Sequence, residues 1–217
     1  MKFIFEIFKI ACILLLPFVL LIRGAVYIHD NYALLPWISL LAGVGMASAI
    51  IFLYFNLVYG KLSGKLGSWG AIKWKGWLAF LLVVFYAIHG LFFFSGSNLK
   101  GKELNSEIME VHPILRLSVS TLIHLDKDLI ITDAQRVPED YRKMGLKSKT
   151  NSLHYKQSNG YTHALDIRTN SRHEFRNKLV KFYFKAMGFN TLRHSGNGTT
   201  GDHLHISLKS HDRPYAI

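Results

Sequence analysis

Side chains that can hold a metal ion occur in two short stretches of the second half of the chain. The first stretch contains His154, His163 and Asp166, and the second contains His203 and His205. Neutral imidazole and carboxylate are the usual ligands of a catalytic zinc, which takes three protein ligands and keeps a further position for water. These residue types therefore predict a metal site of the hydrolytic kind.

The distance between His154 and Asp166 depends on the turn at Asn159-Gly160, a residue pair typical of β-hairpins. A two-residue loop would place the two side chains on opposite faces. A three-residue loop, 158–160 with Gly160 left-handed, pairs His154 with Ala164 and makes Asp166 a same-face neighbour within about 7 Å. A metal site requires the three-residue loop.

The other histidines follow the same geometry. The three-residue loop turns His163 to the face opposite Asp166, whereas a shifted register would make it an alternative ligand. His203 and His205 are two residues apart, so they share a face if they lie on a strand.

Charge and apolar residues are segregated along the chain. Half of the 217 residues are apolar and the formal net charge is +12. Residues 1–95 carry seven Lys/Arg and two acids, whereas residues 96–217 carry nineteen and twelve. This pattern predicts a membrane anchor followed by a basic soluble domain. Basic charge suits anionic partners such as lipid head groups or cell-wall polymers, and the absence of an aromatic-basic motif argues against nucleic acid.

The anchor contains three apolar runs, at about 3–22, 33–59 and 77–94, each long enough to cross a bilayer. A cleaved signal peptide is the rival interpretation of the first run, but no small-residue cleavage site follows it, so a retained helix is favoured. Lysines concentrate on the amino-terminal side and between the second and third runs, which places both on the cytoplasmic side. Everything after Phe94 then lies on the outer side.

The remainder predicts an α+β domain over 110–217 with an antiparallel sheet, behind a polar linker at 96–109. A helix is predicted from Pro113 to about Leu125, and a short strand at 129–132. The segment after the hairpin predicts a helix with Ser171 as N-cap and Glu174 closing a capping box, ended by Gly188. A loop at 195–201 and a final strand at 203–208 complete the domain. The apolar side of the helix after the hairpin is predicted to be Phe175, Leu179, Phe182, Tyr183 and Ala186.

Three motifs, Ser152-x-His154, Ala164-x-Asp166-Ile167 and His203-x-His205, resemble those of the D-alanyl-D-alanine carboxypeptidase-like zinc peptidases of the LAS group. The resemblance covers roughly residues 110–208 and none of the membrane part. It implies a zinc peptidase that cleaves peptidoglycan stem peptides, as a carboxypeptidase or an endopeptidase. Combined with the lysine distribution, it implies a multi-pass protein of the bacterial inner (cytoplasmic) membrane with an extracytoplasmic carboxy-terminal domain.

The resemblance also implies roles for individual residues. It makes His154, Asp166 and His205 the Zn²⁺ ligands and His203 an auxiliary histidine beside the scissile carbonyl. Arg136 matches an arginine that helps hold the substrate. The glutamate base found in one branch of the family is absent, so Asp202 or His203 would handle the proton.

The chain departs from the family at two points. Eleven residues separate His154 from Asp166, more than is usual, and Thr162 stands where the family has glycine. The long spacing favours the alternative of a catalytically inactive zinc-binding cell-wall anchor or sensor. A phosphoesterase of the His-x-Ser type is a third possibility, but the motif occurs once, at His205-Ile-Ser207, and that chemistry needs two copies.

Overall fold

The structure is a computed structural model that describes residues 2–64, 68–143, 145, 151–194 and 201–216. Its class is α+β: three long helices are followed by a part built on a four-stranded antiparallel sheet. The helices are α1 (Lys2–Tyr32), α2 (Pro36–Ser63), α3 (Trp69–Phe92), α4 (Leu104–Glu107), α5 (Pro113–Leu125), α6 (Pro138–Lys143) and α7 (Glu174–Met187). The strands are β1 (Ile131–Asp133), β2 (Ala164–Arg168), β3 (Asn190–His194) and β4 (His203–Ser207).

Helices α1, α2 and α3 are each long and apolar enough to cross a membrane, so a long apolar helix lies at each of the three predicted runs. Their bounds differ from the apolar runs, most of all in α1, which continues past Ile22 to Tyr32. The extension is helical because it has packing partners of its own: Ala25, Val26 and His29 are buried. The apolar run therefore predicts the part of α1 that is suited to lipid. The part after Ile22 is stabilised by tertiary contacts, which the run does not reveal.

Residues 96–109, the predicted polar linker, are packed against the sheet rather than extended away from it. Leu99 forms an isolated parallel bridge with Ile131, and Leu104 and Ile108 are buried. The Nδ2 atom of Asn98 donates to two carbonyl oxygens of the segment before β1, each at 2.8 Å. Three apolar side chains among polar neighbours are enough to fix this stretch against the sheet.

Helix α5 joins the membrane helices to the sheet. It begins at Pro113 and ends at Leu125, as the sequence predicts, with Pro113 in its first turn. Residues 113–123 are all buried, because α5 contacts α1, α2 and α3 on one side and α7 on the other. One continuous apolar core thus runs from the membrane helices into the sheet, and the two parts are packed together.

The sheet has the order β1-β2-β4-β3, with every neighbouring pair antiparallel. Asp166 on β2 is directly opposite His205 on β4, and Arg168 is opposite His203. Directly opposite residues and their diagonal neighbours share a face of a sheet. The register therefore brings Asp166, His205 and His203 to one face. The predicted loop at 195–201 lies outside the described residues apart from Gly201.

The predicted hairpin forms only at its tip. Gln157 N donates to Tyr161 O across the three-residue loop, and Gly160 has a φ of +82°, which confirms the predicted loop and its left-handed glycine. The pairing of His154 with Ala164 is wrong, because His163 N donates to Leu153 O instead. No strand occurs between 151 and 161.

Helix α7 corrects the predicted N-cap and shows which of its sides is buried. Its N-cap is His173, whose Nδ1 accepts from Phe175 N, whereas Ser171 has a left-handed φ of 63°. Gly188 ends the helix as predicted. Its buried residues are Asn177, Val180, Phe184 and Met187, none of which belongs to the apolar set read from the sequence.

Gly188 offers a direct test of the packing between α7 and α1. Its φ is +98°, and a Cβ there would lie 2.9 Å from Val26 Cγ1 and 1.7 Å from Arg23 Nη1. The arginine can move away, but the β-branched valine cannot. We expect Gly188→Ala to cost about 1 kcal/mol for the left-handed backbone and about 1–3 kcal/mol more for the contact.

The measurement is thermal unfolding of the full chain in detergent, with Gly160→Ala as the matched control. Gly160 is also left-handed, but a Cβ there meets nothing within 4 Å. Only the backbone cost should appear in the control. Equal losses in the two variants would contradict the packing of α7 on α1.

Candidate metal centre

Three buried side chains from two strands and a loop converge on one point. His154 Nε2 lies 3.2 Å from His205 Nδ1 and 3.4 Å from Asp166 Oδ1, and the last two atoms are 2.9 Å apart. All three residues are buried. Among the described residues this is the one group of three that could hold a metal ion.

The triangle has the dimensions that a tetrahedral ion requires. Zinc bonds of 2.0–2.1 Å at the tetrahedral angle place two ligand atoms about 3.3 Å apart, and the three observed edges of 3.2, 3.4 and 2.9 Å bracket this value. Two imidazoles and a carboxylate also form a donor set typical of zinc. The chain's own residues therefore fit a divalent ion in donor type and in spacing.

His154 is positioned by hydrogen bonds rather than by a sheet ladder. Its carbonyl oxygen accepts from Arg136 N at 3.0 Å, and its Nδ1–H donates to Ala134 O at 3.0 Å. Its own N–H donates to Ser152 Oγ at 3.3 Å. Donation through Nδ1 leaves the Nε2 lone pair for a metal, the tautomer that a backbone carbonyl commonly fixes in metal sites.

The electrostatics of the site favour the protonation states that bind metal. Burial by itself would raise the pKa of Asp166, but the adjacent imidazoles of His154 and His205 hold that pKa well below its usual range. Burial lowers the pKa of His205, although Asp166 opposes the shift. A carboxylate and a neutral imidazole are the forms that ligate.

Asp133 and Arg136 surround the carboxylate of Asp166. Arg136 Nη2 donates to Asp166 Oδ2 at 2.6 Å and its Nε donates to Asp133 Oδ2 at 2.9 Å. Asp133 and Asp166 are opposite each other on β1 and β2, so two carboxylates would repel without the guanidinium between them. Arg136, expected to bind substrate, thus engages the candidate ligand Asp166 and holds its second oxygen.

His203 lies beside the triangle and Asp202 does not. His203 Nε2 is 3.6 Å from Asp166 Oδ2, and its Nδ1–H donates to Gly201 O at 3.0 Å. The carboxylate of Asp202 instead accepts from Thr169 Oγ1 at 2.7 Å and from Arg193 Nη2 at 2.9 Å. Of the two groups expected to handle a proton, the structure brings only His203 to the site.

Two residues near the site were not predicted to belong to it. Asp133 has a buried Oδ1 with no hydrogen-bond partner, 3.8 Å from His154 Nδ1. The sequence could have indicated Asp133, because this acid follows a short buried strand and stands three residues before Arg136. The ring of His194 packs on that of His203 with 4.8 Å between centroids. Its position follows from the β3–β4 register, which an isolated histidine in the sequence does not reveal.

A cleft of about 300 Å³ adjoins the site on the side of Asp133 and Arg136. Acidic and basic side chains both line it, including Glu103, Glu107 and Lys100. None of the three candidate ligands lines it, but Arg136 in its lining donates to Asp166. The cleft is therefore a route by which a polar ligand can approach Asp133 and Arg136.

His163 belongs to a different cluster, which confirms that it points away from Asp166. Its Nδ1–H donates to Lys209 O at 3.0 Å and its Nε2 accepts from Asn159 Nδ2 at 2.9 Å. Its ring lies 4.8 Å from that of His112 and 5.7 Å from that of His29. These histidines pack the end of α1 against the sheet domain.

The burial of His163 makes stability depend on pH. Burial lowers the pKa of His163 to about 4 and holds that of His112 well below its usual value. Because the folded pKa lies below the unfolded value of 6.5, the stabilisation is complete above that pH and is lost as pH falls toward 4. For His163 this amounts to about 3 kcal/mol.

The measurement is the free energy of unfolding of metal-free protein at several pH values. His163→Leu should be less stable at neutral pH but should lose less stability between pH 6.5 and 4. The same pH dependence in the variant and the parent would contradict the assignment.

The chain matches no protein-family model, no curated protein and no solved structure.

Proposed function

We propose that the protein is a membrane-anchored zinc peptidase that cleaves peptidoglycan stem peptides outside the cytoplasmic membrane. The observation that carries the proposal is the triangle of His154 Nε2, His205 Nδ1 and Asp166 Oδ1, with His203 beside it. This arrangement supports the ligand set implied by the resemblance to the D-alanyl-D-alanine carboxypeptidase-like peptidases. His154, Asp166 and His205 would hold the zinc ion, which would supply Lewis acidity toward a carbonyl oxygen and a water.

The chain's own residues divide the remaining work. Arg136 fixes the orientation of Asp166 by holding Oδ2, which leaves Oδ1 directed at the triangle. His203 is fixed through its Nδ1–H, so its Nε2 faces the site and can exchange a proton with a leaving amine. We assign the proton transfer to His203, because Asp202 is occupied by Thr169 and Arg193.

The substrate class rests on location and on the resemblance. Lysines between the second and third spans favour a cytoplasmic loop there, so an odd number of crossings puts the sheet domain outside. A peptidase on that side of a bacterial membrane meets the stem peptides of the cell wall. The cleft at Asp133 and Arg136 offers both charge signs, which suits a peptide with amine and carboxylate groups.

A non-catalytic zinc-binding anchor or sensor is the second candidate. The observation in its favour is that Arg136 is held by two carboxylates and that the ligands are buried, as in a site whose ion serves structure. This candidate predicts stoichiometric zinc and wall binding without turnover.

Purified full-length protein, loaded with zinc, separates the two candidates on isolated peptidoglycan. Release of free amino groups or D-alanine that stops with chelator and returns with zinc supports the peptidase. Zinc bound at one per chain with no peptide released would overturn it and favour the anchor. Peptide release that survives chelation would overturn both candidates. Chelation-resistant hydrolysis of a cyclic phosphodiester would instead revive the phosphoesterase alternative.

A further inference from the structure

Helix α7 has a second apolar side that faces away from the core. Phe175, Leu179 and Phe182 are 62%, 50% and 70% exposed. Their spacing of four and then three residues places them on one face of the helix. The outer strip, as we name this face, consists of Phe175, Leu179, Phe182 and Ala186. Single exposed apolar residues are ordinary, but a contiguous strip on a helix that already buries its other side indicates a binding surface.

Lysines at 178, 181 and 185 run beside the outer strip along the same helix. Between Phe175 and Met187 the sequence contains no acidic residue. A helix with an aromatic strip and a lysine-rich side has the composition of one that lies in a membrane interface. Two copies of α7 meeting at this face would bring six lysines together, so charge disfavours a second copy as the partner.

The position of α7 matches this composition. Gly188, at its carboxy-terminal end, lies against Arg23 and Val26 of α1. Arg23 is the first charged residue after the apolar run of α1, so it marks the edge of the lipid-facing segment. Tyr183 OH donates to Ser118 O on α5, the helix that sits on the membrane helices. The carboxy-terminal end of the outer strip thus lies close to the end of the apolar run of α1.

We propose that α7 lies in the head-group layer of the bilayer, with the outer strip toward the acyl chains and the lysines bound to anionic lipid head groups. The proposal goes beyond the peptidase and requires only that α1 to α3 cross the membrane. Because α7 also contacts β3 and α5, it holds the sheet and the candidate metal centre at a fixed tilt and height above the lipid.

A fluorescent label on single cysteines of the full chain in lipid nanodiscs tests the proposal. The native Cys12, exposed on α1, is the deep reference. With Cys12→Ala as background, Phe182→Cys reports on the outer strip and Glu139→Cys, on α6, reports on a solvent-exposed site. Nitroxide lipids labelled near the head group or deep in the chains act as quenchers, in zwitterionic and in anionic discs.

We expect the label at 182 to emit at shorter wavelength than that at 139 and to be quenched several-fold more strongly by the shallow nitroxide. Anionic lipid should strengthen this quenching, and Lys178→Glu, Lys181→Glu and Lys185→Glu together should remove the gain. A label at 182 that behaves like that at 139 overturns the proposal. Emission at short wavelength without lipid quenching overturns it in favour of a protein partner.

Quenching at Cys12 separates the placement of α1 in the bilayer from the contact of α7 with its surface. If the deep nitroxide quenches Cys12 but no lipid quenches 182, the spans cross the bilayer and α7 does not touch it. If Cys12 is not quenched, α1 is not in lipid, and the proposed placement of α7 fails with it. Zinc-dependent release of peptides from peptidoglycan is measured separately, and its result does not depend on either labelling outcome.

Discussion

Replacing His154 with alanine is expected to abolish metal binding. The variant removes one corner of a triangle whose edges are 3.2, 3.4 and 2.9 Å, and leaves two protein ligands. Loss of an outer hydrogen-bond partner alone weakens a site about 10–100-fold, so loss of a ligand should weaken zinc binding more than about 100-fold. The measurement is zinc content by elemental analysis and affinity by competition with a chelator.

His163→Ala is the matched control for this variant. His163 is nine positions downstream, equally buried at 1% exposure against 2% for His154, and belongs to the cluster with His112. It should lose stability but keep one zinc per chain. If the two variants bound zinc equally, the metal site would not be at this triangle, and the proposed chemistry would have no basis.

The sequence predicts the ligands better than it predicts the backbone that positions them. Residue type and the His203-x-His205 spacing suffice for β4, because alternation along a strand is a local property. His154 is different. Its backbone is held by Arg136 and its ring by Ala134, both about twenty residues earlier in the chain, so a hairpin argument cannot place it. The side chains meet although the predicted ladder between them is absent.

Helix α7 shows why packing sides are difficult to predict from one sequence. Phe175, Leu179 and Phe182 have a regular helical period and large apolar side chains, so the sequence identifies an apolar side there. The core instead takes Val180 and Phe184, together with a buried Asn177 whose Nδ2 donates to Thr169 O. Periodicity identifies apolar faces, but with two such faces only the tertiary structure tells which one is inside.

The part of the chain between the spans and the sheet could not be divided from composition. A polar average at 96–109 conceals Leu99, Leu104 and Ile108, which are buried. The charge count separates residues 1–95 from the rest, yet the core is continuous through α5. Whether such a segment packs against a domain depends on a few apolar residues. An average polarity over the whole segment does not reveal them.

Replacing His203 with glutamine is expected to stop turnover while leaving the metal bound. Its Nε2 is 3.6 Å from Asp166 Oδ2, next to the ligands but outside the triangle that they form. Glutamine can hydrogen-bond but cannot exchange a proton near neutral pH. Loss of a general acid–base group typically lowers kcat by about 10²–10⁴, a rise in barrier of about 3–5 kcal/mol.

The informative comparison is kcat, KM and zinc content in parallel with His194→Gln. The ring of His194 packs on that of His203, so its loss reports what disturbance of the histidine stack does by itself. A fall in kcat in His203→Gln alone, with KM and zinc content unchanged, supports proton transfer by His203. Loss of zinc in His203→Gln would show that His203 is a metal ligand instead. A normal kcat in this variant would contradict the assignment of proton transfer to His203. Because Asp202 is held by Thr169 and Arg193, the carboxylate next to His203 in sequence is not placed to take over this role.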